Sequence, residues 1–223
     1  MVGWATGGGH GLATGTYGMG ADSILEASIV TLEGKVLKAN ACQNTDLFWA
    51  IRGGGGGTFG VITSLTVKAH EMPSVALSSV EVTARNSTSA KAWYRLVAQM
   101  HTYFPGLQDA GLHGYTTMSG SPRTITLALF QYNEPNATSS KKLFEPLQQL
   151  LNSANASVTH TISANWVPEW YSLMQIVPTS GNVGTTRSTR ATRLIPRSAL
   201  SPKNVDLLAQ VLETAVSPNN LTV

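Results

Sequence analysis

Apolar and polar positions along the chain fall into two regimes that change near Pro73. In the first, Ile24-Leu25-Glu26-Ala27-Ser28-Ile29-Val30-Thr31-Leu32 is rich in β-branched residues, Glu33-Gly34 supplies a turn, and Lys35-Val36-Leu37-Lys38-Ala39 follows. That pattern predicts a β-hairpin. Asp46 stands where an N-cap would, ahead of a short helix over Leu47-Phe48-Trp49-Ala50-Ile51 that the glycines from Gly53 to Gly57 bring to an end. From Val61 to His70 the sequence alternates loosely and is β-rich, which predicts a strand.

Beyond Pro73 glycine thins out and strand and helix patterns take turns. Val75 to Thr83 reads as a strand. Ser87 to Tyr103 reads as a helix capped by Ser87 or Thr88, with Trp93, Leu96, Val97 and Met100 on one face. Gly111 to Met118 and Thr124 to Tyr132 form an expected hairpin joined through Ser119-Gly120-Ser121-Pro122, and Ser139 to Leu151 an expected helix. Arg187 to Ile195 follows as a strand, and a last helix, Pro202 to Val216, starts behind Ser201. The fold class is α+β: an antiparallel sheet with helices on one face.

Composition removes several function classes. The formal charge is +3 with 12% charged residues, and the Lys and Arg are scattered, so no nucleic-acid partner is expected. No apolar run approaches the roughly 20 residues of a membrane helix, so no membrane partner is expected either. The single cysteine, Cys42, has no partner for an internal disulfide and no Cys or His at zinc-site spacing, and is expected to be a half-buried structural thiol. Met1-Val2-Gly3-Trp4 lacks the features of a signal peptide and enters a glycine-rich motif at once, as expected of a chain truncated upstream. Four N-x-S/T sequons, at Asn86, Asn136, Asn155 and Asn220, suit a secreted glycoprotein but barely exceed chance in a chain so rich in Ser and Thr.

Two glycine runs carry the candidate chemistry, Gly7-Gly8-Gly9-His10-Gly11 and Gly53 to Gly57 followed by Thr58-Phe59-Gly60. Ordered glycine is costly and is best used where backbone approaches a ligand or takes positive φ. Gly55-x-Gly57-x-x-Gly60 matches a dinucleotide fingerprint formally, but that fingerprint needs a strand before it and a helix after it. Here the expected order is reversed, which argues against a Rossmann-type nicotinamide enzyme.

Taken in order, Gly7-Gly8-Gly9-His10-Gly11, Tyr17-Gly18-Met19-Gly20-Ala21-Asp22, the Glu33-Gly34-Lys35 hairpin, Asn44 through Gly55 and Thr58-Phe59-Gly60-Val61-Ile62-Thr63 resemble the latter half of the flavin-binding domain of the vanillyl-alcohol-oxidase superfamily. Within it, the chain is most similar to the berberine-bridge-enzyme-like oxidoreductases. Arg193-Leu194-Ile195-Pro196 is similar to a substrate-domain strand of fungal members. The resemblance implies a partial PCMH-type FAD-binding domain over residues 1–72 and a partial substrate-binding domain over 73–223. It implies FAD as cofactor, with Thr6, Gly7, Gly8, Gly9 and His10 along its ribityl and pyrophosphate portion and Gly60, Val61 and Ile62 against its adenosine end. Asp22 and Arg52 are equally well explained by helix capping or ion pairing.

The same resemblance implies a small-molecule substrate (an alcohol, a sugar or a secondary-metabolite ring), hydride transfer to flavin N5, and dioxygen as one acceptor, with oxidase and dehydrogenase both open. The flavin-linking histidine and cysteine of the family would precede Met1, and a closing segment rich in Asn and Tyr would follow Val223. A separated chain is then expected to be poorly soluble and inactive, and a non-catalytic remnant with weak or no flavin binding is the alternative. No catalytic residue is assigned. Tyr115, Tyr132 and Arg190 stand on expected strands, but packing or solvation explains each better. His70, His101, His113 and His160 show no partner pattern.

Overall fold

A computed structural model describes residues 1–177 and 193–216. By its contacts the chain divides into two compact units, Met1–Glu71 and Met72–Val223.

In the first unit α1 (Val2–Thr6) and α2 (Thr14–Tyr17) precede a 3-10 turn at Gly20–Ser23. Strands β1 (Ile24–Val30) and β2 (Val36–Asn40) form the expected hairpin, α3 (Thr45–Ile51) follows, and β3 (Val61–Val67) completes a sheet of order β2-β1-β3. Both pairings are antiparallel. A small core of Ala5, Ile24, Ala27, Ile29, Ala39, Phe48 and Ile51 holds α1 and α3 to the sheet. Asp46 is not the N-cap of α3. Asn44 occupies that position with φ 49°, its side chain donating to the Lys38 carbonyl at 2.7 Å, and Asp46 lies in the first turn, where a carboxylate favours the positive helix end.

In the second unit β4 (Val75–Ala84) leads into α4 (Ala90–His101) and α5 (Phe104–Asp109), followed by the hairpin β5 (Leu112–Gly120) and β6 (Arg123–Tyr132). Then come α6 (Thr138–Leu143), α7 (Glu145–Ser153), β7 (Val158–Val167), α8 (Trp170–Ile176) and α9 (Val205–Ala215). The sheet order is β5-β6-β4-β7, antiparallel throughout. Val80 pairs with Leu127 and Ile162, and these residues face a core built with Trp93, Val97 and Met100 of α4 and Leu147 and Leu151 of α7. Registers of two put the alternate residues on the opposite face, where Ser79, Glu81, Tyr115, Thr117, Thr126 and Thr161 are exposed.

Several expectations are corrected here. The cap of α4 is Ser89, whose side chain accepts from the Ala92 N–H, because the Thr88 hydroxyl is bound to the Ser157 carbonyl instead. The helix expected from Ser139 to Leu151 is two helices broken at Phe144, since Pro146 has no N–H and must sit in a first turn. Pro202–Asn204 is a 3-10 turn, and the last α-helix starts at Val205. The strand β7 was not expected, and Arg193-Leu194-Ile195 forms no strand, while the rest of the expected Arg187 to Ile195 strand, Arg190 included, lies outside the described residues. Cys42 is exposed rather than half-buried, on the turn where Asn40 accepts from its N–H.

Candidate flavin site

The second glycine run meets α1, whose end at Thr6 leads into the first run. The Gly55 N–H donates to the Thr6 carbonyl at 2.9 Å, and a Cβ on Gly56 would lie 3.6 Å from Gly3 Cα. The Gly7–Gly11 segment is fastened to the 3-10 turn by Gly20 N–H to Gly9 carbonyl (2.8 Å) and Ala21 N–H to Gly8 carbonyl (3.0 Å).

The glycines of these runs have different reasons to be glycine. Gly9 has φ +76°, and a Cβ there would come 2.7 Å from Gly20 Cα. Gly60 has φ +135°, and its Cβ would come 2.5 Å from the Val30 carbonyl. These two are needed by the chain's own packing. Gly53 and Gly57 would meet nothing within 4 Å among the described residues, and Gly8 only the Met19 methyl at 3.5 Å. The Gly8 N–H already donates to the Ala5 carbonyl at 3.2 Å, but at Gly53 and Gly57 bare backbone faces open space, where amides can reach a polar ligand, and so the residues fit FAD.

The remaining residues assigned to the flavin divide likewise. Thr6 is fully buried, and its hydroxyl donates to the Val2 carbonyl at 3.0 Å inside α1. His10 is exposed, its carbonyl accepting from the Trp4 indole N–H at 3.1 Å. Val61 is 67% exposed, whereas Ile62 packs on the small core. Gly9 is bonded to Gly20 in the turn ahead of β1, and Gly60 lies against Val30 at the far end of that strand.

Asp22 and Arg52 have structural work. An Asp22 carboxylate oxygen accepts from the Met19 N–H at 2.8 Å to cap the 3-10 turn. Arg52 donates to the Ala21 carbonyl at 3.0 Å, lies 3.6 Å from Asp22 and covers the Phe48 ring at 5.2 Å. Together they hold Gly20 and Ala21 where the glycine loop binds them. Sequence reasoning missed Gly53 and Gly57 as the open positions, and Trp4 altogether; a tryptophan three residues before a glycine run was the available signal.

In the second unit Tyr115 and Tyr132 lie on the sheet face opposite the main core. Partial burial pushes the Tyr115 hydroxyl above its ordinary pKa. Tyr132 is packed between His113 (6.4 Å between centroids) and Trp170 (5.8 Å). Of the other histidines, His70 lies tilted against Tyr17 at 4.4 Å between centroids, His101 binds the Val97 carbonyl and His160 meets Gln148. Among the described residues no three His, Cys, Asp or Glu are grouped to hold a metal, and no helix is long and apolar enough to cross a membrane.

No protein-family model matches the chain. It is 34% identical over 220 residues to the FAD-linked oxidoreductase apf9 of Gibberella fujikuroi, covering 92% of this chain and 37% of that protein. The crystal structure of the VAO-type flavoprotein MtVAO713 from Myceliophthora thermophila superposes on 96% of the chain and 39% of its own length, with a TM-score of 0.81 at 27% identity. The chain is similar to FAD-linked oxidoreductases in sequence and to VAO-type flavoproteins in structure. Glucooligosaccharide oxidase from Acremonium strictum, which carries a 6-S-cysteinyl, 8α-N1-histidyl FAD, is a more distant structural relative, with a TM-score of 0.57 at 25% identity over 85% of this chain and 37% of that one. The chain thus spans well under half the length of the relatives it matches. FAD is the cofactor of this family, and β3 begins directly after Gly60, where a Rossmann loop would open a helix.

Proposed function

We propose that the first unit forms part of an FAD cradle and that the second contributes part of a substrate domain, in an oxidoreductase acting on an alcohol, a sugar or a secondary-metabolite ring. The observation that carries this reading is the Gly55–Thr6 hydrogen bond, which brings the second glycine run to the residue that precedes the first, with open backbone at Gly53 and Gly57. Bound FAD supplies the electron sink that accepts hydride at N5, with dioxygen as one final acceptor. The chain's part is to bind and orient: backbone along Thr6 to His10 takes the ribityl and pyrophosphate portion, and Gly60, Val61 and Ile62 take the adenosine end. On the second unit, the polar sheet face with Glu81 and Tyr115 receives the substrate, Tyr115 as a hydrogen-bond donor.

The alternative is a non-catalytic remnant. It is favoured by apolar groups left in solvent on the first unit, Trp49 at 79%, Leu32 at 95% and Val61 at 67% exposed, which also predict poor solubility. An absorbance spectrum of the purified chain before and after acid precipitation separates the two readings. Flavin bands that pass into the supernatant support a cradle that binds without a covalent link. Colourless protein that takes up no added FAD supports the remnant.

Secretion and glycosylation belong to the same proposal. Asn86, Asn136 and Asn155 are all exposed, and the Asn86 and Asn155 turns adjoin, with the Arg85 guanidinium donating to the Asn155 carbonyl at 3.0 Å. Asn220 lies outside the described residues. Expression through a eukaryotic secretory pathway should give a product that shifts on endoglycosidase treatment, and an unshifted product would remove this part of the reading.

A further inference from the structure

We propose that Trp4 is a positioning residue, which holds the Gly7–Gly11 backbone in the conformation that receives FAD; the inference rests on the flavin reading above. Its indole bonds to the glycine loop at one point and fills the side-chain space of three glycines in the loop and its support. A Cβ on Gly20 would come 2.4, 2.8 and 2.9 Å from three atoms of the ring, so the ring lies directly on that glycine. The same ring is 3.2 Å from the place a Gly9 Cβ would occupy and 3.6 Å from that of Gly11. Its N–H donates to the His10 carbonyl.

That hydrogen bond matters because the His10 carbonyl and the Gly11 N–H belong to one rigid peptide plane. Trp4 fastens one side at 3.1 Å, and the Thr14 hydroxyl accepts from the other at 2.9 Å. The plane is pinned from both sides. Two residues upstream, the Gly8 and Gly9 carbonyls are pinned to Ala21 and Gly20. A glycine loop is the backbone with most freedom to lose on ordering, so fixing it before the ligand arrives removes a cost from binding.

Ordinary core packing does not explain the residue. Trp4 is 53% exposed and is not part of the cluster of Ala5, Ile24, Ala27, Ile29, Ala39, Phe48 and Ile51. Nor is glycine at position 20 explained otherwise: its backbone is buried, and the Trp4 ring is what a side chain there would strike.

The test compares Trp4→Phe, which keeps an aromatic ring but loses the N–H and the outer edge of the indole, with Trp4→Ala, which loses the ring altogether. FAD affinity by titration, thermal melting, and amide exchange of the 7–11 and 24–30 segments are read on each. Trp4→Phe is expected to bind FAD about fivefold more weakly, the effect of one lost hydrogen bond, and Trp4→Ala more than about tenfold more weakly. In both, exchange should quicken over 7–11 and stay unchanged over 24–30. Wild-type affinity in both variants would overturn the proposal, as would exchange that quickens equally in both segments, since that is a merely structural role. Wild-type chain that binds no FAD, with loop exchange quickened in the variants, would overturn the flavin reading while leaving the Trp4–loop contact as measured. Wild-type chain that binds FAD, with variants unaffected, would overturn the Trp4 inference alone.

Discussion

Replacing Gly9 by alanine tests the architecture of the glycine loop at its tightest point. The backbone there has φ +76°, where an L-residue costs about 1–2 kcal/mol. The new methyl carbon would stand 2.7 Å from Gly20 Cα and 2.8 Å from Gly20 N, both backbone atoms that cannot rotate away. The loop must therefore withdraw from the 3-10 turn and give up the Gly20–Gly9 and Ala21–Gly8 hydrogen bonds, worth about 1 kcal/mol each. The total is about 3 kcal/mol, or roughly a hundredfold in the opening equilibrium at 1.4 kcal/mol per tenfold. Amide hydrogen exchange of Gly20 and Ala21 reads this directly, because those N–H groups are the donors. Gly3→Ala is the control: a Cβ there meets nothing within 4 Å, and alanine in α1 should be neutral or stabilising by up to about 1 kcal/mol. Unchanged protection of Gly20 and Ala21 in the Gly9→Ala chain would refute the reasoning.

Other outcomes follow from the same structure. Val61→Glu puts a charge on an exposed position assigned to the adenosine end, so FAD titration should show affinity lowered about tenfold while FMN, which lacks that end, is unaffected. Arg52→Ala removes the bond to Ala21, the Asp22 pairing and the cover over Phe48, and should destabilise the first unit by about 1–2 kcal/mol in urea denaturation. Leu151→Ala, at a fully buried site of the second unit, should cost about 2–5 kcal/mol in the same experiment. Burial depresses the His101 pKa despite its bond to the Val97 carbonyl. The folded state therefore takes up that proton less readily than the unfolded chain, whose histidine titrates at about 6.5. This contribution is complete above that pH and is lost as pH falls toward the depressed value, and a His101→Leu chain should show a flatter stability profile in that window.

The hairpin β1–β2 was legible because a β-branched run, Glu33-Gly34 and a second run are local signals that nothing tertiary opposes. The break at Phe144 was in principle legible from Pro146, but helical periodicity runs through it from Ser140 to Leu151 and hides it. Strand β7 alternates Val158, Ile162 and Ala164 against Thr159, Thr161 and Ser163, yet His160 and Trp166 fall on the same face as the apolar residues and blur the period. At the site, the glycine runs were visible, but their division was not. Whether a glycine serves its own fold, as Gly9 and Gly60 do, or leaves backbone open, as Gly53 and Gly57 do, depends on what lies opposite it in space. The Trp4 contact with Gly20 depends in the same way on a partner that sequence spacing does not reveal.

The most direct measurement is an equilibrium titration of the purified chain with FAD, followed by flavin fluorescence, with FMN in parallel. A cradle built from both glycine runs and the Gly60–Ile62 end predicts saturable FAD binding tighter than about 100 μM, and weaker binding of FMN. No saturable FAD binding by a chain whose 24–30 amides are protected, and which is therefore folded, would contradict it.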